Sequence, residues 1–350
     1  MTLSSGFYSH YNYRRIHARI VSGASPPNSN VKNNTNHSKK ERCIMSTTIH
    51  PDDIKRVKGQ GFLNNKGTDN FNARIITTNG KITAHQAHVI AEAAERFGSG
   101  EVSFTSRMTV ELPGIPYDKI PEFQAFLATA DLATGGTGAK VRPVVSCKGT
   151  TCQYGLYDTF GLSKKIHERF YLGYRSVALP HKFKIATGGC PNNCVKPDLN
   201  DLGIIGQRIK EIDPDKCKGC KKCQIIASCP MKAASVVDGK IVIDETLCNN
   251  CGRCAGKCLF DAFGEGKQAW KICIGGRWGK KVGQGIPLTK LFTSEEEVLN
   301  TVEKVILCYK EQGLPGERFA DTIARIGFEK INDEILNGDI LSRKDQILNG

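Results

Sequence analysis

The chain lacks several features that would place it in a common class. No apolar run among its 350 residues approaches the roughly 18 residues that span a bilayer, so no membrane span is expected. It shows no secretory signal, so we expect a cytoplasmic protein without a disulfide scaffold. No glycine-rich dinucleotide fingerprint follows a strand. The net charge is +14, but no aromatic-basic interleaving accompanies it, and nucleic acid is not an expected partner.

The first 44 residues differ in composition from the rest. They contain seven Lys or Arg and one acid, Glu41, among many Asn, Ser and Tyr residues. Three interpretations compete: sequence read through a misplaced start with Met45 as the initiator, a disordered tail, or a transit peptide. We favour the first, and predict that residues 1–50 are a disordered or mis-assigned extension. The remaining basic excess suits an anionic cofactor or substrate.

The rest of the sequence predicts an α+β protein. Residues 71–114 are predicted to form strand, helix and strand, with Thr83 as the helix N-cap, and a second helix is predicted over 118–131. Strands are predicted at "VRPVVSC", "HKFKIAT" and "DLGIIGQ", a helix at "LSKKIHERFY", and closing helices over 294–310 and 316–336. The predicted domains are 51–135, then 136–210 with 264–340, and a module inserted at 211–263.

Cysteine, in contrast, is abundant, and its grouping is the most informative feature. Twelve of the 15 cysteines fall in tight groups. Grouped cysteines in a large chain without a secretory signal indicate metal ligands in a reducing compartment. Cys43, Cys273 and Cys308 stand alone, and the last two are predicted to be buried thiols.

The inserted module contains an internal repeat, "CKGCKKCQIIASCP" and "CNNCGRCAGKC". Thiolates at C-x2-C-x2-C can reach three corners of a cubane, and the fourth cysteine of each run ligates the other cluster. The module is therefore predicted to hold two [4Fe–4S] clusters, rather than two zinc ions, and to conduct single electrons. The predicted ligand sets are Cys217, Cys220, Cys223 and Cys258 for one cluster, and Cys248, Cys251, Cys254 and Cys229 for the other. Leu259 replaces the usual proline after the last cysteine.

Four further cysteines form a C-x4-C pair and a C-x3-C pair at predicted strand ends: Cys147 with Cys152, and Cys190 with Cys194. Together they could hold a third [4Fe–4S] cluster. The segments "VVSCKGTTCQYG" and "GGCPNNCVKPDLNDLGIIG" resemble the cluster loops of the siroheme-dependent sulfite and nitrite reductases. The resemblance implies that Cys194 ligates the cluster and also approaches the siroheme iron, with Asn192 and Asn193 beside the cofactor. The first gap in that family is usually five residues, whereas here it is four.

The resemblance extends over nearly all of residues 55–336. "FNARIITTNGKIT" and "VSFTSRMTVELPGI" resemble two arginine-bearing strands, which implies that Arg74 and Arg107 face siroheme and substrate. "LPHKFKIATGG" implies the same for Lys182 and Lys184, with His181 where the family more often has Arg. Siroheme carries eight carboxylates, which favours buried cations. Arg142 is a candidate partner for one of them, or equally for a structural salt bridge. Solvated or structural roles are predicted for His85, His88 and His167.

The family resemblance implies the six-electron reduction of sulfite to sulfide, with siroheme and three [4Fe–4S] clusters as cofactors and electrons entering through the module. The module and "IGGRWGKKVGQGIPLTKLF" are most similar to the siroheme-carrying component of anaerobic, NADH-linked sulfite reductases. The alternatives are nitrite reduction to ammonia, or an iron–sulfur electron-transfer subunit without siroheme. The expected partners are an electron donor, either a ferredoxin or an NADH-linked subunit, and a second copy or a related subunit. This last expectation arises because larger relatives contain two copies of the reductase half.

Overall fold

A computed structural model describes residues 49–350. The predictions for residues 1–44 and for Cys43 lie outside the described residues. None of the helices within 49–350 combines the length and apolarity that crossing a lipid bilayer requires.

The N-terminal half-domain is a four-stranded antiparallel sheet covered by helices. Its elements are α1 (Pro51–Gly59), β1 (Phe62–Asn64), β2 (Asn70–Ile75), α2 (Ala84–Phe97), β3 (Ser103–Phe104), β4 (Val110–Pro116) and α3 (Ile120–Ala128), with strand order β1-β2-β4-β3. Burial alternates along β2, so Phe71, Ala73 and Ile75 enter the core and Arg74 points to the opposite face. Thr83 caps α2 through a capping box with Gln86, as predicted.

The segment predicted as one strand at "VSFTSRMTVELPGI" is interrupted. A turn over residues 105–109 separates β3 from β4. The Thr105 hydroxyl accepts the backbone N–H groups of Arg107 and Thr109, and Met108 adopts a φ of 58°. Arg107 therefore lies in a turn and not on a strand, and its side chain is free to reach into the second domain.

The second domain contains a five-stranded mixed sheet. Its first elements are β5 (Val145–Ser146), α4 (Thr159–Ile166), β6 (Ile185–Gly188) and β7 (Leu202–Ile209). Helix α4 continues as a π-helical turn over His167–Leu172, so the predicted helix is present. The predicted strand at "VRPVVSC" is shorter than expected, because only Val145 and Ser146 pair with β6 and Val141 forms a single bridge to Phe183.

The inserted module follows β7 and contains α5 (Gln224–Ser228) and the hairpin of β8 (Ala234–Val237) with β9 (Lys240–Ile243). The chain then returns as β10 (Lys267–Ile274), whose Lys267 pairs with Ile209 at the end of β7. Since β7 and β10 are antiparallel neighbours, the module occupies a hairpin connection and leaves the sheet intact.

The remaining elements are β11 (Ile286–Phe292), α6 (Glu295–Gln312), α7 (Phe319–Ile326), α8 (Phe328–Asn337) and α9 (Lys344–Asn349). The strand order is β11-β10-β7-β6-β5, with β5, β6 and β7 parallel and the other pairs antiparallel. The closing helix predicted over 316–336 is divided into α7 and α8 at Gly327, which has a φ of 102°. Fully buried aromatic side chains such as Phe183, Tyr309 and Phe319 pack α6 and α7 against the sheet.

Candidate functional site

Two loops at the carboxyl edge of the parallel strands bring four cysteines together. β5 leads into Cys147, and its parallel neighbour β6 leads into Cys190. The Gly189 N–H donates to Cys147 Sγ at 3.1 Å, which ties one loop to the other. Burial raises the pKa of Cys190, and the nearby Cys147, Cys194 and Cys152 raise it further. The described geometry thus groups the four predicted ligands of the third cluster.

The Cys190–Cys194 loop is fixed by an asparagine between the two cysteines. Asn193 adopts a φ of 57°, and its Nδ2 donates to Asp198 Oδ1 at 2.6 Å. Gln284 Nε2 donates to the other oxygen of Asp198 at 2.7 Å, so the carboxylate is held from both sides. Asn193 Oδ1 is buried without a partner, while Asn192 and Cys194 are exposed. The unpartnered oxygen and the exposed thiol are the groups of this loop that are available to a cofactor.

The predicted cations converge on one open cleft of about 810 Å³. The cleft lies between the two domains, and its basic residues are Lys58, Arg74, Arg107, Arg142, Lys182 and Lys184. Five of these six were predicted from the sequence. The residues that line the cleft include no cysteine, so the structure assembles the cations and the cysteines in separate places.

Arg74 is positioned by a carboxylate. Its Nε and Nη2 donate to Glu111 Oε1 at 2.8 and 2.5 Å, and its Nη1 donates to the Gly136 carbonyl at 3.2 Å. Both side chains are largely buried, with 21% exposure for Arg74 and 17% for Glu111. The Arg74 charge is therefore partly neutralised within the chain, and its guanidinium plane is fixed at the wall of the cleft.

Arg107 joins the two domains. Its Nη1 donates to Asn200 Oδ1 at 2.9 Å, and its Nη2 donates to the carbonyls of Pro143 and Ile185 at 2.7 and 3.1 Å. Its Nε is buried without a partner. Burial, the largest effect, lowers its pKa to about 10, and nearby arginines contribute to the lowering. The two outer nitrogens of Arg107 therefore anchor the side chain to the second domain. Its Nε–H is the donor that has no partner within the chain.

Arg142 lies beside Arg74 and shares its acceptor, because its Nη1 also donates to the Gly136 carbonyl. Its Nε is buried without a partner. Burial and the charge of Arg74 lower its pKa to about 10. Among residues 49–350 no carboxylate forms a salt bridge with Arg142. The described residues therefore provide no salt bridge for Arg142, and its role toward a cofactor remains a prediction.

The two lysines lie just before β6. Burial is the main reason that the pKa of Lys184 falls to about 8, and the charges of Arg107, Arg318 and Lys182 lower it further. Burial also lowers the pKa of Lys182, together with Arg318 and Arg142. The neighbouring positive charges lower the pKa values of these lysines because they repel one another. A bound anion would relieve this repulsion, so the cleft is suited to anions.

Sequence reasoning missed two charged residues that lie behind the lysines. Asp201 is completely buried, and Arg318 Nη2 donates to both of its oxygens at 2.8 and 2.9 Å. The backbone N–H of Lys184 also donates to Asp201 Oδ2, at 2.9 Å. Asp201 falls inside the family-like segment "GGCPNNCVKPDLNDLGIIG", and Arg318 falls within residues 55–336, over which the resemblance extends. No local motif distinguished either residue from an ordinary surface charge.

The cysteines of the inserted module surround one small core. Cys217, Cys223, Cys229, Cys254 and Cys258 all pack against Ile225, Ala234, Ile241 and Phe263. Burial raises the pKa of Cys254, and the neighbouring Cys251, Cys248 and Cys229 raise it further, so Cys229 lies with the opposite run. Within 49–350 no group of three or more His, Cys, Asp or Glu side chains is arranged to hold a single metal ion. The predicted exchange of fourth ligands agrees with this grouping and remains a prediction.

The other predicted residues have structural environments. His167 is buried, stacks on Tyr171 with ring centroids 4.7 Å apart, and has its pKa lowered to about 4 by burial. His85 and His88 are exposed. Cys273 and Cys308 are buried, as predicted, and burial raises their pKa values to about 11 and about 12.

Comparison with known proteins agrees with this geometry. Residues 137–340 match the family described as "Nitrite and sulphite reductase 4Fe-4S domain", and residues 64–130 match "Nitrite/Sulfite reductase ferredoxin-like half domain". The coenzyme F420-dependent sulfite reductase of Methanocaldococcus jannaschii is 30% identical over 249 residues, which cover 70% of this chain and 39% of that protein. One subunit of the anaerobic sulfite reductase of Salmonella typhimurium is 28% identical over 284 residues, covering 74% of this chain and 81% of that subunit. The crystal structure of dissimilatory sulfite reductase I has the same fold, with a TM-score of 0.60 at 23% identity over 76% of this chain and 68% of that chain.

Proposed function

Because the chain belongs to the nitrite and sulphite reductase family, we propose that it reduces sulfite to sulfide with six electrons. The proposed cofactors are siroheme, one [4Fe–4S] cluster coupled to it, and two clusters in the inserted module. The observation that carries the proposal is the cleft of about 810 Å³ lined by Arg74, Arg107, Arg142, Lys182 and Lys184. A relay of iron–sulfur clusters alone has no need for such a cleft.

The residues present fit a polycarboxylate cofactor and a small anion. The buried Nε atoms of Arg107 and Arg142 have no partner in the chain, so both are unsatisfied donors that a carboxylate would satisfy. When bound, siroheme would supply the iron at which a small anion is reduced, and Arg107 and Arg142 would hold its carboxylates. The four thiols at Cys147, Cys152, Cys190 and Cys194 form an all-sulfur donor set suited to a [4Fe–4S] cluster.

The cations have a second role in the chemistry. Reduction of hydrogen sulfite to the hydrosulfide anion consumes six electrons and six protons and releases three waters. Cations around the substrate stabilise negative charge on the departing oxygens, and a positioned acid donates protons to them. Lys184 Nζ is the proposed acid, because its pKa of about 8 is close to neutral pH. Lys182 and the arginines hold the anion.

We also propose that a second reductase half completes the site. The lysines precede β6 and Cys190 follows it, so the cleft and the cysteine loops lie at opposite ends of one strand. The six residue steps from Lys184 to Cys190 span about 20 Å when extended. A second copy, or a related subunit, can bring its cysteine loops to this cleft. The cysteine loops of the first chain then lie at the cleft of the second. A siroheme-loaded, active species that elutes as a monomer from a sizing column would contradict this assembly.

The test is an anaerobic absorption spectrum combined with iron, zinc and acid-labile sulfide analysis on one sample, followed by rates with sulfite and nitrite and a viologen donor. We expect siroheme bands, about twelve non-haem irons per chain for three four-iron clusters, and a higher kcat/KM for sulfite. About eight irons without siroheme would indicate an electron-transfer subunit instead. A higher kcat/KM for nitrite would assign the same cofactors to nitrite reduction.

A further inference from the structure

The inserted module has one cysteine loop that is attached to the reductase domain. Arg208 on β7 donates its backbone N–H to the Asn250 carbonyl at 2.8 Å. Gly252 is so close to that strand that a Cβ there would lie 2.9 Å from Arg208 Cβ. Arg253 stacks over Tyr154, with its guanidinium carbon 4.8 Å from the ring centroid. The Cys248–Cys254 loop is therefore the inner loop of the module.

The same side of the module faces the cysteine loops of the reductase domain across a narrow cleft of about 1050 Å³. Cys190 and Asn192 line one wall, and Cys251 and Arg253 line the other. Tyr154, which stacks on Arg253, is two residues from Cys152. The inner loop is thus positioned to pass electrons to the third cluster.

The Cys217–Cys223 loop, which we call the outer loop, makes its described contacts within the module. The Ile241 N–H donates to Cys217 Sγ at 3.3 Å, and Lys240 Nζ donates to the Pro214 carbonyl at 2.7 Å. A Cβ at Gly219 would lie 2.6 Å from the Gly239 carbonyl oxygen. Gly239, Lys240 and Ile241 belong to the β8–β9 hairpin, and Pro214 lies just before Cys217 in the module. None of these partners belongs to the reductase domain.

The surface around the outer loop combines exposed lysines with exposed apolar side chains. We call it the outer face and define it by Lys218, Lys221, Lys222, Lys257, Leu259 and Phe260, all of which are exposed. Leu259 is 84% and Phe260 is 47% exposed, directly after the fourth predicted ligand of the outer cluster, Cys258. Within residues 49–350 none of the four lysines forms a salt bridge, whereas the nearby Lys216 pairs with Asp213 at 3.1 Å. Asp261, which follows Phe260, is exposed as well. Exposed lysines together with exposed apolar side chains are the composition of a protein-binding surface.

We propose that the outer face is the docking site of an acidic one-electron carrier protein. This inference rests on the proposed function, since it assumes that the module carries electrons. The carrier is oxidised by one electron and the outer cluster is reduced by one, after which the inner loop relays the electron to the reductase domain. A second copy that met its partner through this same face would place lysines against lysines, which disfavours self-association at the outer face.

The experiment titrates the cluster-loaded full chain with a reduced, strongly acidic ferredoxin and measures Kd at low and moderate salt. We expect Lys221→Glu/Lys222→Glu to raise Kd about tenfold at low salt, and added salt to weaken wild-type binding and reduce this difference. Lys66→Glu/Lys330→Glu changes the net charge equally at two exposed lysines away from the module, and should raise Kd less than about twofold. Leu259→Ser tests the apolar centre without a charge change and should weaken binding a few-fold, about 1 kcal/mol. Iron analysis of each variant verifies that the clusters are retained.

Equal losses in the two double variants would overturn the inference, because only general charge would then matter. So would a concentration-dependent self-association that the outer-face variant abolishes, since the occupant would be a second copy. Different results would refute the docking site and the proposed function. Sulfite reduction with viologen but no ferredoxin binding would refute the docking site alone. Ferredoxin binding and cluster reduction without turnover of sulfite or nitrite would refute the proposed function alone.

Discussion

Lys184 offers the sharpest test of the chemistry proposed for the cleft. Its pKa of about 8 lies below the ordinary lysine value of 10.5, chiefly because of burial and then because of Arg107, Arg318 and Lys182, while Asp201 opposes the shift. If the protonated amine is the acid, activity should fall at high pH. The protonated fraction of such an acid falls from about 0.9 to about 0.1 over the two pH units centred on its pKa, so the rate should fall about tenfold over that span. Bound carboxylates raise the pKa, so in the loaded enzyme the midpoint of this limb should lie between 8 and 10.5.

The assay is kcat/KM for sulfite against pH with a viologen donor, for wild type and for Lys184→Arg. Arginine keeps the positive charge but does not deprotonate in this range, so the variant should lose the high-pH limb. Sulfite itself titrates near neutral pH, but that effect is common to both enzymes. An identical high-pH limb in Lys184→Arg would refute the role of Lys184 as the titrating acid.

The same pKa also predicts a stability effect with a definite sign. Below pH 8 Lys184 is charged in both states, and because its folded-state pKa is lowered, the charge destabilises the fold. Between pH 8 and 10.5 the folded protein loses its proton first, so this cost decreases and then disappears. In protein without siroheme, Lys184→Met should therefore be more stable than wild type at pH 7, and the difference should vanish by pH 10.5. Denaturant midpoints at the two pH values test this.

Three further experiments each compare a pair of variants. Arg318→Met removes a cation that lowers the pKa of Lys184, so the high-pH limb should move to higher pH. Asp201→Asn removes the acid that raises this pKa, so the limb should move to lower pH. Cys229→Ser should lower non-haem iron by about four per chain, while Cys273→Ser, at a buried thiol outside the cysteine groups, should leave it unchanged. Gly136→Ala places a Cβ 3.1 Å from Pro143 Cγ and 3.3 Å from Arg74 Cδ at a φ of +71°, and should cost about 2–4 kcal/mol in denaturant unfolding. Gly67→Ala, at a φ of +73° with open space, isolates the backbone part and should cost only about 1 kcal/mol.

The cysteine ligands and the cleft cations could be predicted from sequence for different reasons. Cluster ligands are set by short spacings, because three thiolates at C-x2-C-x2-C reach one cubane whatever the surrounding fold. Arg74 and Arg107 have no such local signature, and only the family resemblance indicated them. Even so, the resemblance placed Arg107 on a strand. The turn closed by Thr105 is a side-chain effect that the alternating pattern does not reveal.

The ion pair of Asp201 and Arg318 could not be predicted from the sequence, for a different reason. They are 117 residues apart and meet only after β7 and α7 pack together. A single charge in a segment looks the same whether it is solvated or pairs with a distant partner inside the protein, so no periodicity could have identified the pair. Their effect on Lys184 is nevertheless direct, since one lowers and the other raises its pKa.

The separation of the cations from the cysteines has a consequence for how such a chain can work. Lys184 and Cys190 lie on either side of a four-residue strand, so the basic cleft and the cysteine loops are at opposite ends of that strand. In the assembly proposed above, each copy supplies a cleft to one centre and a cluster to another. Variants at the two ends should consequently complement each other. Lys184→Met and Cys194→Ser chains, each defective alone, should form some fully wild-type centres when mixed and reassembled. Activity no higher than the sum of the separate variants would show that cleft and cysteines serve the same centre within one chain.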